Sequence, residues 1–484
     1  MLRTIRPGIF ALLLGAATVL GFAPYAWFPV PLFSLAALFW LWQRHPSRGA
    51  WLGFAFGLGL FGVGVSWIYI SLHTYGDMPA VLAAAATFLL AAFLALFPAA
   101  TGYFYQRCRQ AALLSIPAMW MLGEWVRGWI FTGFPWLAVG YSQAPASPLA
   151  GYAPIVGVFG LSLILAWSAA ALAWQPRRFG WIVLLIWMAG AGFKSISWTH
   201  PLGVPFSVSL LQGNIGQSIK WQPEQVPATL EQYREMVLQS QARLIVLPET
   251  AIPLFNDQVP PAYLEELAAH ARRNGGDILF GIPERTLDGN YYNSVMSVGT
   301  ANTQTYRKSH LVPFGEYIPL KPVFGPITQV LHIPLSDFSR GALTQAPFSI
   351  AGQQVAANVC YEDVFGNEII RPLPLASILV NVTNDAWFGN SPAPWQHLQI
   401  AQMRSLESGR QMLRATNTGA TAIIGVDGQV QRILPLFTRA TLTATAQGYQ
   451  GLTPFARWGD NLALIVAGMM LLSALFYARK GHDN

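Results

Sequence analysis

The chain has 484 residues and a formal net charge of +7, with 53% hydrophobic and only 11% charged residues. Mean hydropathy is +0.38. Soluble globular chains carry roughly 25% charged residues, so a wholly water-soluble protein is excluded and much of the surface is expected to face lipid. The basic excess is partly explained by arginines in short loops and gives no reason to invoke nucleic acid.

Residues 1–200 hold long apolar runs rich in Leu, Ala, Gly, Phe and Trp. At roughly 20 apolar residues per crossing, about seven spans are expected before residue 200, centred near Leu14, Leu35, Leu60, Leu89, Leu122, Leu165 and Leu185. The first two are short and separated only by GFAPYAWFPVP, which suits a tilted pair or a hairpin. A cleaved signal peptide over residues 1–22 is not expected, because further spans follow at once and no small-residue cleavage site stands out. An eighth span is expected over 458–479, centred near Val466.

Arg3 and Arg6, Arg44 and Arg48, Arg107 and Arg109, Arg177 and Arg178, and Arg479 with Lys480 all fall on one side if the spans alternate. Arg127 and Lys194 are exceptions. The positive-inside rule then places both termini in the cytoplasm and the 205–450 domain outside it. The domains expected are 1–200, transmembrane; 205–450, extramembrane; and 458–479, a C-terminal transmembrane helix. Aromatic residues at span ends suit interfacial belts, and the Gly-rich run GFAFGLGLFGVGVSW suits helix packing. Glu124, an ionisable residue in an apolar run, has Arg127 at helical spacing.

From residue 206 short β-branched runs alternate with amphipathic stretches. Strands are expected at 206–212, 243–249, 277–284, 291–298, 353–363, 377–385 and 421–428, and helices at 224–240, 260–273 and 395–411. Strand-helix-strand alternation predicts an α/β sheet covered by helices. Residues 315–340 lack periodicity and are rich in Pro and apolar groups, as expected of a functional or mobile loop. His397 and Arg404 on the 395–411 helix read as structural, Arg404 lying near Glu407 at helical spacing. No His/Cys cluster has metal spacing and no Gly-rich phosphate loop is present, so neither metal nor cofactor is expected.

Cys360 sits at the end of the strand-like run in VAANVCYED, whereas Cys108, the other of two cysteines, lies in a basic loop expected inside. A thiol in an oxidising compartment without a partner in reach is not half of a disulfide. Burial or chemistry remains. Glu249 ends RLIVLPE, and Lys308 lies in YRKSHLVPFGEYIP. Taken singly, Glu249 reads as a solvated carboxylate, Lys308 as an interfacial lysine and Cys360 as a small buried hydrophobe. Together, each near a strand terminus of one domain, they have defined roles in acyl transfer. A thiol with a pKa of about 8.5 needs a base or a cation to act as thiolate. Glu249 would take and return the proton. Lys308 would favour the thiolate and stabilise the oxyanion, with a backbone N–H after Cys360 as second donor.

LPETAIP (247–253), YRKSHLVPFGEYIP (306–319) and NVCYED (358–363) resemble the Glu-Lys-Cys signature of the nitrilase, or C–N hydrolase, superfamily. With GFAPYAWFPVPLF, GVSWIYISLHTYG, GWIFTGFPWLAVGYSQ and NDAWFGNS, the whole chain resembles the membrane-embedded apolipoprotein N-acyltransferase family. The resemblance implies an αββα sandwich on about eight transmembrane helices, with Glu249, Lys308 and Cys360 as the triad. It also implies that Glu316 orients the lysine or shuttles protons, that Tyr361 and Glu362 shape the site, and that Trp387 and Phe388 lie near an acyl-binding mouth. For each of these five a structural role stands beside the chemical one.

The activity implied is ping-pong transfer of the sn-1 acyl chain of a phospholipid, typically phosphatidylethanolamine, through a Cys360 thioester. The acceptor is the N-terminal amine of a diacylglyceryl-cysteine lipoprotein. The implied partners are the phospholipid donor, the diacylated apolipoprotein and the bilayer, with the chain a monomer in a bacterial inner membrane and its catalytic domain in the periplasm. A membrane-tethered amidase or lipase using water as acceptor is the nearest alternative. A polytopic transporter with an external sensing domain is a second.

Overall fold

The computed structural model describes residues 2–319 and 337–480. Of the aperiodic segment 315–340, residues 320–336 lie outside the described residues. The chain divides into two compact units.

The first unit, Met1–Tyr69, Pro79–Ser197 and Thr453–Asn484, is helical. Its main helices are α1 (Leu2–Thr18), α2 (Pro29–Arg44), α3 (Gly49–Gly64), α4 (Ala80–Arg107), α5 (Ala112–Arg127), α6 (Ala153–Trp174), α7 (Pro176–Phe193) and α11 (Asn461–Lys480). Every expected span centre falls on one of these helices. Among the described residues, however, only Ala80–Arg107 and Pro148–Trp174 are long and apolar enough to cross a membrane unaided, or three spans if the pair Pro46–Gly64 and Ile68–Tyr75 counts as one bent by 55°. The reason is length. A helix such as α3, with 16 residues, rises about 24 Å, short of a hydrocarbon core of about 30 Å.

Small residues let these helices approach. A Cβ added to Gly15 would lie 1.9 Å from the Phe56 carbonyl oxygen, and one added to Gly59 would lie 2.0 Å from that of Leu12, so α1 and α3 touch through backbone. Gly53 meets Pro98 of α4 in the same way. The glycine-rich run is therefore a packing surface. Outward apolar side chains remain, among them Val81 and Leu89 on α4 and Leu472 and Phe476 on α11. Glu124 accepts from the Trp120 indole and the Val139 N–H, while Arg127 donates to the Phe134 and Trp136 carbonyls. Both polar groups thus hold the loop after α5.

The second unit, Ile70–Met78 and Trp198–Leu452, contains two six-stranded sheets. The first has the order β12-β1-β2-β3-β4-β5: β1 (His200–Gln212), β2 (Leu244–Val246), β3 (Asp277–Arg285), β4 (Tyr291–Gly299), β5 (Thr305–Arg307) and β12 (Ala440–Gln450). The second has the order β11-β10-β9-β8-β7-β6: β6 (Phe348–Ile350), β7 (Gln353–Val359), β8 (Ile378–Thr383), β9 (Met412–Thr416), β10 (Ala422–Ile424) and β11 (Val430–Ile433). In each sheet the three central strands that lead to the site run parallel, β1-β2-β3 and β7-β8-β9.

Period-two patterning explains the layering. Phe206, Val208 and Leu210 of β1, with Leu244, Val246 and Leu279, meet Val355, Val359, Val380, Val382 and Leu413 in one core. The opposite face of the first sheet, Leu211, Ile245, Ile278 and Phe280, packs on Tyr233 and Val237 of α8 (Val226–Gln239) and Leu267 and Ala271 of α9 (Pro261–Arg273). Helix α10 (Ala393–Ser408) is buried along nearly its whole length and ends at Gly409, which adopts a left-handed conformation. The helix expected at 395–411 therefore stops earlier and β9 begins at Met412. The expected strands all exist. The short strands β5, β6, β9 and β11, and the long edge strand β12, are additional.

Candidate active site

The carboxyl ends of β2, β7 and β8 converge, the place where α/β sheets hold ligands. Glu249 follows β2, and Gly281 on β3 allows this: a Cβ there would lie 2.6 Å from the Glu249 Cα. The Glu249 carboxylate is buried, at 7% exposure. Its Oε1 accepts from Asn293 Nδ2 at 2.7 Å and its Oε2 from the Asn384 N–H at 2.8 Å.

Lys308 leaves β5, anchored by its N–H to the Asn293 carbonyl at 2.8 Å. Its Nζ lies 2.8 Å from Glu316 and 3.7 Å from Glu249, at 1% exposure. Burial by itself would pull the ammonium down, but Glu316, Glu249 and Cys360 outweigh it and raise Lys308 above the usual lysine range. Glu316 is held in turn by Asn293 Nδ2 at 2.8 Å and the Val312 N–H at 2.8 Å. Asn293 therefore bridges both carboxylates.

Cys360 occupies the first position after β7 with φ of 51°. A non-glycine residue in that region is uncommon and marks strain held by its surroundings. The Cys360 carbonyl receives Asn381 Nδ2 at 3.2 Å and His397 Nε2 at 3.3 Å. The Cys360 residue as a whole is half-buried, packed against the core between the sheets. Burial pushes its thiol well above the ordinary range, Glu249 and Asp385 add to this, and Lys308 and the Thr383 hydroxyl oppose it. At rest Cys360 is thus held as a thiol, and the Glu249 carboxylate adds to that effect.

Glu362 ties the cysteine turn to the lysine segment. Its Oε2 accepts from the Val359 N–H at 2.7 Å, and its Oε1 from the N–H groups of Ser309 at 2.7 Å and His310 at 3.1 Å. Tyr361 lies to one side, edge-on to Phe365 at 5.3 Å. Trp387 and Phe388 sit on the turn after β8. Within the same unit, Ser71 Oγ donates to the Trp387 carbonyl at 2.8 Å, Tyr75 packs edge-on to Trp387 at 6.3 Å, and Phe388 meets His397 at 6.3 Å. Glu249, Lys308 and Glu316 are in direct contact, while Tyr361, Trp387 and Phe388 frame the surroundings.

A second charged group lies beneath Cys360. His397 places Nδ1 2.9 Å from Asp385 and Nε2 2.9 Å from Asp363, and Arg414 bridges the same two aspartates at 3.0 and 3.1 Å. Burial and Arg414 lower His397, but the two carboxylates raise it overall, and each ring nitrogen faces a carboxylate oxygen, the arrangement an imidazolium requires. Arg404 pairs with Glu407 at 3.0 Å. Asn293, Lys220 and Arg414 lie in no quoted motif, while Asp363 in NVCYED and Asn384 and Asp385 in NDAWFGNS are not singled out within theirs. Only Asn293 gives a hint, as a residue type depleted in strands placed mid-strand. Among the described residues no group of three or more His, Cys, Asp or Glu could hold a metal ion.

Residues 14–171 match the apolipoprotein N-acyltransferase N-terminal domain, and residues 207–453 match the carbon-nitrogen hydrolase family. The apolipoprotein N-acyltransferase of Nitrosomonas europaea is 57% identical over 98% of both chains. That of Chromobacterium violaceum is 47% identical over 97% of this chain and 94% of its own. Among solved structures, an amidase from Nesterenkonia sp. is 16% identical with a TM-score of 0.36, over 52% of this chain and 92% of that one.

Proposed function

This chain belongs to the apolipoprotein N-acyltransferase family, and on that premise we propose that Cys360, Glu249 and Lys308 carry a two-step acyl transfer in lipoprotein maturation. The observation that carries the reading is the Lys308 ammonium set between Glu316 and Glu249, facing a cysteine held at a strained strand end.

In the first step Glu249 takes the Cys360 proton as sulfur attacks the sn-1 ester carbonyl of a phospholipid such as phosphatidylethanolamine. The C–S bond forms, and Lys308 faces the developing oxyanion. Collapse breaks the ester C–O bond, and Glu249 returns the proton to the departing lysophospholipid oxygen. In the second step the α-amine of a diacylglyceryl-cysteine apolipoprotein attacks the thioester and gives its proton to Glu249. The amide forms, the C–S bond breaks, and the thiolate recovers its proton. Glu316 and Asn293 keep Lys308 and Glu249 in register throughout, while Trp387 and Phe388 wall the acyl side.

Residues 1–200 and 458–479 form the membrane domain in this reading, crossing the inner membrane eight times, and 205–450 form the periplasmic catalytic domain. The helix at each expected centre and the arginine-bearing loops support this. Both substrates are lipids, and extracting one into water costs about 0.8 kcal/mol per CH₂. A catalytic domain mounted on spans lets each substrate reach the thiol without leaving the bilayer, and the chain acts as a monomer.

Intact mass of the purified protein tests the reading. After incubation with phosphatidylethanolamine a fatty-acyl adduct on Cys360 is expected, disappearing as N-acylated product forms on addition of a diacylated lipopeptide. An adduct lost equally fast to water would make the chain a hydrolase. Absence of any adduct would remove the covalent mechanism.

A further inference from the structure

Lys220 lies in the turn at 217–221 that follows β1, and its side chain is 3% exposed. Its Nζ donates to the main-chain carbonyl of Glu249 at 3.1 Å. The turn is fixed from two sides: the Lys220 N–H donates to Gly216 O at 3.1 Å, and Gln217 Oε1 accepts from Asn384 Nδ2 at 2.8 Å. Asn384 is the residue whose N–H holds Glu249 Oε2. Among the described residues no carboxylate lies within ion-pair distance of Lys220, and its other neighbour is the Trp221 ring at 5.9 Å. A buried ammonium with only a neutral carbonyl as partner is costly, and such groups concentrate at functional sites.

The charges around the reaction centre favour a role. Glu249 and Glu316 supply two carboxylates, whereas Lys308 supplies one cation and lies closest to Glu316. Lys220 is the second cation, bound through Nζ to the Glu249 main chain, and the negative charges of Glu249 and Cys360 both favour its protonated form. Cys360 itself faces Glu249, Lys308, Asp385 and the Thr383 hydroxyl, and Asp385 is already neutralised by His397 and Arg414. We propose that Lys220 is a positioning residue for the acyl transfer described above, holding the Glu249 main chain and lending the Cys360 thiolate a positive charge that Lys308, committed to Glu316, supplies only in part. This rests on Cys360 being the nucleophile of that reaction. Burial lowers Lys220 to about 8, against the opposing effects of Glu249 and Cys360, so the group is charged at neutral pH and surrenders its charge on mild alkalisation.

The test reads the thiol directly in the full chain in detergent, with Cys108→Ser leaving Cys360 as the sole cysteine. Iodoacetamide alkylation is followed from pH 6.5 to 10 in this parent and in Lys220→Met and Lys220→Gln. Removing a cation near a thiolate raises the thiol by about one unit or more, so alkylation at pH 7 should fall about tenfold in both variants. The gap should close above pH 8 to 9, where the parent's own Lys220 loses its proton. Lys220→Met keeps the stem and removes the buried charge, so it should fold where the glutamine variant does not. A parent-to-variant ratio that is one at pH 7, or constant across the range, would overturn the proposal. Alkylation requires no acyl donor, so this result stands apart from success or failure of the acyl-adduct test.

Discussion

Asn293→Ala probes the link between the two carboxylates. Asn293 is 3% exposed and its Nδ2 serves Glu249 at 2.7 Å and Glu316 at 2.8 Å. Hydrogen bonds to charged groups are worth about 1.5–3 kcal/mol each, which bounds the loss at about 3–6 kcal/mol. Both acceptors keep other donors: Glu249 retains Asn384 and the more distant Lys308, and Glu316 retains Lys308 and Val312. The lower end, about 3 kcal/mol, is therefore expected. Against a typical total of about 5–15 kcal/mol the variant should fold with a clearly lowered melting temperature. Glu249 also loses the contact that orients Oε1, and a base displaced by about 1 Å costs about a hundredfold in rate. Melting in detergent, together with the initial rate of Cys360 acyl-adduct formation measured by mass, reads both effects. A variant with parental melting and an acylation rate within threefold of the parent would refute the bridging role.

Glu316→Gln removes the closest anion from Lys308. Burial then meets less opposition, so Lys308 should titrate lower than in the parent, and an alkaline fall in acylation should appear at a pH where the parent is flat; identical alkaline limbs would sink this. His397→Gln removes a cation whose pKa is raised on folding by Asp363 and Asp385. A raised folded pKa contributes stability fully below the unfolded value of about 6.5, and that contribution is lost as pH rises through the folded value. The melting-temperature gap between parent and variant should be widest at pH 5–6.5 and narrow towards alkaline pH. A gap independent of pH would contradict the imidazolium assignment.

Two members of the proposed triad, Glu249 and Cys360, were legible as strand-end residues because each follows a β-branched run, whereas Lys308 follows the short strand β5 that the pattern did not reveal. A run such as RLIVLP followed by a carboxylate, or VAANV followed by a thiol, places a reactive group at a sheet's carboxyl edge. What escaped was carried by single polar residues inside strands. Arg414 interrupts MLRAT, and it is wholly buried because two aspartates from the turns after β7 and β8 reach it. Strand β12, ATLTATAQGYQ, alternates small and polar groups without an apolar signature. It pairs with β1 across more than 200 residues, a partnership that local periodicity does not encode. Hydropathy placed each expected span centre on a helix but not that helix's reach, since apolarity and length are separate properties. Several apolar runs are interrupted after about 16 residues by proline or by a bend.

The same separation of local from distant information explains how the site works. A cysteine in a left-handed conformation gains nothing from its neighbours in sequence. It is held from β8 by Asn381 and from α10 by His397, each donating to its carbonyl, while Glu362 fastens the following turn to the lysine segment. These contacts position the proposed nucleophile without neutralising the thiol's surroundings, because the aspartates beneath it are already matched by His397 and Arg414. In the proposed mechanism the charges left to respond when the sulfur ionises are Glu249, Glu316, Lys308 and Lys220. Two anions and two cations balance before the thiol ionises, and they remain matched in total when its proton moves to Glu249. An apolar surround for the lipid chains is therefore compatible with creating a thiolate, provided the proton stays inside the cluster.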